Sequence, residues 1–350
     1  MFRSSLALAR WLGPWADEQS SPKVRRTTEH VPSSRPGERP FRAWVYRPVS
    51  GRPRGAMLVI QGLHYAGPED PRLDRFCKIL AASGTLVLAP FLPDFARMRV
   101  EPTLGTDAER AFDHLLSLPD LPRRTRPGVF SVSFGSLPAV QVAARRPEVG
   151  GLMLFGGYAD FHDTIHFSMH GAPGRPYDPL NHCVAFMNLV EQLPARDPTS
   201  LHAAWMEFIK RTWGRPHMKV DDAFHHVAHD IAARLVDRDL FLQTTGVLPG
   251  SHALFERALG DKDVRFLDPL PWARRVRCPA IVAHGREDDV IPFEQAAILA
   301  DALPCSELHL TGLWSHSGHT GLGMIPAVLV RELVAMVGIV SGMAKSGRGL

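Results

Sequence analysis

Gly128-Val129-Phe130-Ser131-Val132-Ser133-Phe134-Gly135-Ser136 is the stretch whose reading decides the fold. Gly128–Val132 is small or apolar apart from Ser131 and reads as a short buried strand. From Ser136 to Arg146 the residues Leu137, Val140, Val142 and Ala143 recur at helical spacing. Ser133 therefore falls on the turn between strand and helix, with its Oγ at the strand's carboxyl end and a helix N-terminus behind it. Such a turn brings backbones close together and needs small residues two positions before and two after the serine. Ser131 and Gly135 meet that demand, giving a nucleophile elbow in which Ser131 stands where the pattern has its first glycine.

Outward from this unit, apolar runs alternate with helical periods. Ala56–Ile60, Thr85–Ala89 and Gly151–Phe155 read as buried strands, and Arg72–Ala82 and Asp107–Leu118 as helices. Phe41–Tyr46 alternates apolar with polar residues and is expected as an edge strand. After Asp160 the alternation stops, and from His162 to Pro269 only helical periods appear, over Leu201–Trp213, Ala223–Val236 and Leu254–Leu259. It resumes with a helix at Leu270–Arg275, a strand at Ala280–Ala283, a helix at Phe293–Leu303, a strand at Glu307–Leu310 and a helix at Ile325–Val340.

Strand–helix alternation implies an α/β fold with a mostly parallel sheet and crossover helices on both faces. A helical block that interrupts an unfinished sheet is an insertion into one domain. The expected division is an N-terminal extension without its own core (1–40), a sheet domain (41–161 and 270–350) and a helical cap (162–269).

Composition narrows the function classes. At 350 residues and 45% hydrophobic content, the chain can bury a large core and is neither disordered nor fibrous. Net charge is +4, nearly all basic residues are arginine, and no stretch interleaves them with aromatics, so a nucleic-acid partner is not expected. Cys77, Cys183, Cys278 and Cys305 are far apart with no C-x-x-C pair, and free thiols are expected. Leu6–Trp15 is too short and interrupted to span a bilayer and lacks a cleavage site. Ile325–Met343 carries Arg331 and Glu332 at its centre. No membrane span and a cytoplasmic location are therefore expected.

A parallel sheet opens its ligand crevice at the carboxyl ends of its strands. The strand Ala280–Ala283 is followed by His284-Gly285-Arg286-Glu287-Asp288-Asp289-Val290-Ile291-Pro292. The strand Glu307–Leu310 is followed by Thr311-Gly312-Leu313-Trp314-Ser315-His316-Ser317-Gly318-His319. Serine, acid and histidine thus follow one another along the chain on separate strand ends. On these residues the chain resembles the α/β-hydrolases with a helical cap, over roughly Phe41–Phe161 and Leu270–Val340.

The resemblance implies the following roles. The family's H-G-x-x-D-x-x-V/I-P pattern falls on His284, Gly285, Asp288, Ile291 and Pro292, making Asp288 the acid, with Glu287 and Asp289 the next candidates. The family's loop length after the last strand favours His316 as the base over His319. The oxyanion donors are the backbone N–H groups of Phe134 and Leu63, although Gln61-Gly62 stands where the family has His-Gly. A serine hydrolase acting on a small-molecule carboxylic ester or thioester through an acyl-enzyme is the implied activity. Acyl transfer on the same residues, or a non-catalytic binding scaffold, are the alternatives.

No cofactor is expected. His162, His166 and His170 recur every four residues and His225 and His229 are similarly spaced, as zinc ligands can be. Neither group has H-E-x-x-H, and both read as helix-surface histidines, so no metal is assigned. The aromatics of the insertion, Trp205 and Phe167 among them, read mostly as its own core, with some available to roof the site.

Overall fold

The structure, a computed structural model, describes residues 8, 10–11, 17, 19–34, 38–175, 178–260 and 262–312. His316, His319 and the helix expected over Ile325–Val340 lie outside the described residues.

The described residues form an eight-stranded sheet in the order β1-β2-β4-β3-β5-β6-β7-β8. Its strands are β1 (Arg25–Val31), β2 (Phe41–Arg47), β3 (Gly55–Ile60), β4 (Thr85–Pro90), β5 (Gly128–Val132), β6 (Gly151–Phe155), β7 (Ala280–Gly285) and β8 (Ser306–Thr311). β1 and β2 pair antiparallel, as do β2 and β4; from β4 to β8 every neighbour is parallel. The central strands are continuous apolar runs because both of their faces are covered. Met57, Val59, Val87, Phe130, Met153 and Ile281 face one apolar layer with helix α1 (Pro71–Ala82). Leu58, Ile60, Leu88, Val129, Leu154 and Val282 face the other, with α2 (Thr103–Ser117) and α3 (Ser136–Arg145).

Between β6 and β7 the described residues form helices and no strand. The chain runs through α4 (Phe161–His170), α5 (His182–Met187), α6 (Pro198–Thr212), α7 (Phe224–Ala232), α8 (Arg238–Thr244) and α9 (Ser251–Gly260), and α10 (Glu294–Ala302) then follows β7. β6 and β7 are direct neighbours in register, Leu152 beside Ala280 through Phe155 beside Ala283, so the whole helical stretch is an excursion from one sheet. Its two ends are fastened together: the Phe161 N–H donates to Asp268 Oδ1 at 2.8 Å, and the Tyr158 hydroxyl donates to the Leu267 carbonyl at 2.9 Å.

The amino-terminal stretch differs from its expectation. Arg25–Val31 is an edge strand that pairs with β2 over its full length, so Phe41–Arg47 lies inside the sheet rather than at its edge. Leu8 is 1% exposed and joins the apolar layer beside Tyr46 and Met57. The reason is that strand pairing uses backbone groups. An edge strand open to water on both faces can carry the polar side chains of Arg25–His30 and still complete the ladder.

Cys77, Cys183 and Cys278 are buried free thiols and Cys305 is exposed. Burial pushes the Cys278 thiol up to about 11, which keeps it protonated and unreactive. Among the described residues, no helix is long and apolar enough to cross a membrane.

Candidate active site at the carboxyl ends of the strands

Ser133 follows β5 directly and opens a short 3-10 turn, Ser133–Gly135, that leads into α3. Val132 is extended (φ −119°, ψ 139°), whereas Ser133 has φ +56°. A non-glycine residue in the left-handed region costs on the order of 1 kcal/mol and persists only where its surroundings impose it. Those surroundings are identifiable. A Cβ at Gly135 would sit 2.4 Å from the Gln61 carbonyl oxygen and 3.2 Å from Ile60 Cγ2. A Cβ at Gly62 would sit 3.1 Å from Ser133 Cβ and 3.7 Å from its Oγ. β3 and β5 are parallel neighbours with Ile60 beside Ser131, so the loop leaving β3 passes directly over the elbow. Ser131 is fully buried between β3 and β6, and no hydrogen-bond partner of its Oγ is found among the described residues.

Asp288 follows β7, two strands from β5, and is 4% exposed. Its Oδ1 accepts from the N–H groups of Val290 (2.9 Å) and Ile291 (2.7 Å). Its Oδ2 lies 3.2 Å from His284 Nε2, and a Cβ at Gly156, just past the end of β6, would be 3.7 Å from the same oxygen. The carboxylate is thus held at the mouth of β6 and β7 by its own loop. It is not a helix cap: α10 begins at Glu294 with Phe293 as its N-cap and no side-chain cap bond. Asp289, the next candidate, points elsewhere, with Oδ2 3.4 Å from Lys219 Nζ.

Phe134 and Leu63, whose N–H groups are the expected oxyanion donors, are both buried. The Phe134 ring packs against Tyr158 and Phe161, with centroids 5.2 and 6.1 Å away, so the elbow touches the point where the chain leaves the sheet for the helical insertion. Next to Leu63, the His64 ring stacks on Tyr65 at 4.6 Å, and its Nε2 lies 3.4 Å from Asp70 Oδ2. Burial pushes the His64 pKa down despite that carboxylate.

Among the described residues, the insertion meets the loops that follow β3, β4 and β7. It reaches the loop after β3 through Trp213, whose ring is 5.6 Å from that of His64. It reaches the loop after β4 through Asn188, which accepts from the Val100 N–H at 2.7 Å, and through the Met187 carbonyl, which accepts from Arg99 at 2.8 Å. Lys219 joins the insertion's Asp178 (2.7 Å) to Asp289 of the loop after β7 (3.4 Å), and Arg175 pairs with Glu294 of α10. None of these contacts has a sequence signal, because each joins elements far apart in the chain. Trp205, by contrast, is fully buried and donates to Thr244 Oγ1 at 2.9 Å, so it belongs to the insertion's own core.

Asp268, which fastens the insertion's two ends, has its carboxyl pushed up to about 6, chiefly by burial and then by the neighbouring Asp160, Asp163 and Asp263. Ionising it costs more in the folded state than in the unfolded chain, so its contribution to stability is lost as pH rises through about 6 and recovered towards the ordinary Asp range near 4. Fully desolvated, such a difference is worth about 3 kcal/mol; solvent screening at this half-buried position leaves about 1 kcal/mol. Asp268→Asn keeps the acceptor for Phe161 and should stabilise the protein at pH 8 by that amount while leaving pH 4 unchanged. Thermal melts at the two pH values check this, and equal shifts at both would contradict it.

Side chains able to hold a metal gather at two places among the described residues, Asp160/His162/Asp163 and His166/His170/Glu256, both on the insertion.

The sheet order, the strained serine after β5 and the acid after β7 together are the architecture of the α/β-hydrolase fold. No protein-family model and no curated protein matches the chain. Among solved structures, an acylaminoacyl peptidase in complex with Z-Gly-Gly-Phe-chloromethyl ketone is similar with TM-score 0.52 at 14% identity, over 87% of this chain and 39% of its own. The uncomplexed Pyrococcus horikoshii acylaminoacyl peptidase gives 0.50 at 14% identity, over 91% and 41%. The chain spans about two-fifths of the length of these peptidases. At such identity the likeness carries the fold, and the chain has the α/β-hydrolase fold.

Proposed function

We propose that this chain is a serine hydrolase that cleaves a carboxylic ester or thioester through an acyl-enzyme. The observation that carries the reading is Ser133 held at φ +56° at the carboxyl end of β5, with the loop after β3 pressed against it at Gly62. Backbone strain of this kind is retained where it exposes a reacting atom. In the proposed reaction His316 takes the hydroxyl proton as Ser133 Oγ bonds to the carbonyl carbon, and Asp288 orients the imidazole. The N–H groups of Phe134 and Leu63 hold the oxyanion. His316 then protonates the leaving alcohol or thiol, and water, deprotonated by the same histidine, releases the acid and restores Ser133.

A fluorophosphonate probe tests the reading. It should label Ser133 alone, and labelling at Ser131 or Ser136 with Ser133 untouched would overturn it. A panel of p-nitrophenyl esters, acyl thioesters and peptide anilides then sorts ester from amide cleavage, and an added alcohol acceptor sorts hydrolysis from acyl transfer.

The helical stretch 162–269 acts in this reading as a lid that shapes the acyl pocket. What supports it is the set of contacts from Trp213, Asn188, Lys219 and Arg175 to the loops that surround Ser133. Lids of this kind exclude water and set which acyl group fits. Trp213 is the residue to change, since it is half-buried beside His64 rather than locked in the insertion's core. Trp213→Ala should alter the ranking of C2 to C12 esters by about tenfold at one end of the series while probe labelling of Ser133 continues. A uniform loss across all chain lengths would instead mean that Trp213 only supports the oxyanion loop.

A further inference from the structure

The insertion holds a cluster of imidazoles that the proposed reaction does not use. His162, His166 and His170 lie along α4 at i, i+4 and i+8, and the neighbouring α9 carries His252 and Glu256, also at i and i+4. Residues four apart on a helix share a face, so two helices side by side bring two such pairs together. Glu256 Oε1 lies 2.6 Å from His170 Nε2 and 3.3 Å from His166 Nε2. The rings of His166 and His170 are 4.4 Å apart, and that of His252 stands 4.5 Å from His170. The three ligand atoms of His166, His170 and Glu256 all fall within 4.8 Å of one another, and the group opens to solvent, with His166 and Glu256 about half exposed.

We propose that His166, His170 and Glu256 form a binding site for a divalent transition-metal ion, with zinc the best match. Two imidazole nitrogens and a carboxylate oxygen are a donor set that zinc takes, with bonds of about 2.0–2.2 Å and open positions left for water or a further ligand. Tetrahedral bonds of that length put donor atoms roughly 3.3 Å apart. The His166–Glu256 spacing already meets that value, and the His170–Glu256 spacing requires a movement of under 1 Å by an exposed glutamate. His252 flanks the site. It hydrogen-bonds the Met169 carbonyl, with its ring 4.5 Å from that of His170. The ion would join α4, where the insertion leaves the sheet, to α9, shortly before it returns. Glu256 is the part that sequence spacing could not supply, being 86 residues from His170.

The full chain, free of any histidine tag, is titrated with ZnCl2 by calorimetry and with CoCl2 by visible absorption. One tight equivalent of zinc is expected, along with Co2+ d–d bands of low-coordinate intensity. His170→Ala and Glu256→Gln should each weaken zinc binding by about tenfold or more, whereas His225→Ala, on a helix face with no partner carboxylate among the described residues, should leave it unchanged. Glu256 is half exposed and His170 and His225 are partly buried, so unaltered far-ultraviolet circular dichroism is required to show that the variants fold. Chelation should lower the melting temperature of the wild type and not that of His170→Ala. Absence of micromolar binding, or zinc affinity equal in wild type, His170→Ala and Glu256→Gln, would overturn the proposal.

Discussion

Ser133→Ala should lower ester turnover by about a million-fold, as loss of an attacking serine does in other triad enzymes, with folding left cooperative. Ser133→Gly should be equally inactive but more stable than the alanine variant by about 1 kcal/mol. At φ +56° a side chain is strained, and glycine adopts that conformation at little cost. The pair separates two meanings of the same backbone. If the conformation served only packing, activity would track stability and the glycine variant would be the more active of the two. If it serves chemistry, activity vanishes while the glycine variant gains stability. Residual turnover within tenfold of wild type in either variant would remove Ser133 from the reaction.

His316→Ala should produce a loss of similar size, and His319→Ala a change within about tenfold. Thr311 ends β8, three strands away from β5. With strands about 4.8 Å apart, roughly 14 Å separates them. An extended loop of about five residues can bridge such a span. The proton-transfer role predicts non-additivity: the Ser133→Ala/His316→Ala double variant should be no slower than either single variant, because both remove the same step. A multiplicative loss would place His316 outside the unit. A reversal, with His319→Ala the inactive variant, would assign the base to His319.

The parallel half of the sheet was legible because strands covered on both faces must be apolar throughout, as Met57–Ile60 and Val129–Phe130 are. The elbow was legible because close backbone approach restricts size, and the 2.4 Å that would separate a Gly135 Cβ from Gln61 shows how tightly. β1 was not legible, since Arg25–His30 pairs through backbone groups and its side chains face water. The short helices His182–Met187 and Arg238–Thr244 have too few turns to display a period. Composition within the insertion could not separate Trp205, which fills its core, from Trp213, which meets His64. That distinction depends on which helix face meets which loop, as do the approach of Lys219 to Asp289 and that of Glu256 to His170.

The bond from the Phe161 N–H to Asp268 makes the insertion, for the sheet, a loop of almost no span. β6 and β7 are already in register beneath it, so the length and content of the chain between 161 and 268 impose no strain on the strands. Lengthening such an excursion costs only a logarithmic closure entropy, about 0.6 kcal/mol per doubling. Replacement requires a new apolar cover over Phe134 and Tyr158 and new partners for Val100, Arg99 and Asp289. On the proposed lid reading, a fold closed off in this way can exchange its upper storey, changing what enters the crevice without resetting Ser133 or Asp288. Substrate range in such a chain can therefore diverge faster than the residues that carry out the reaction.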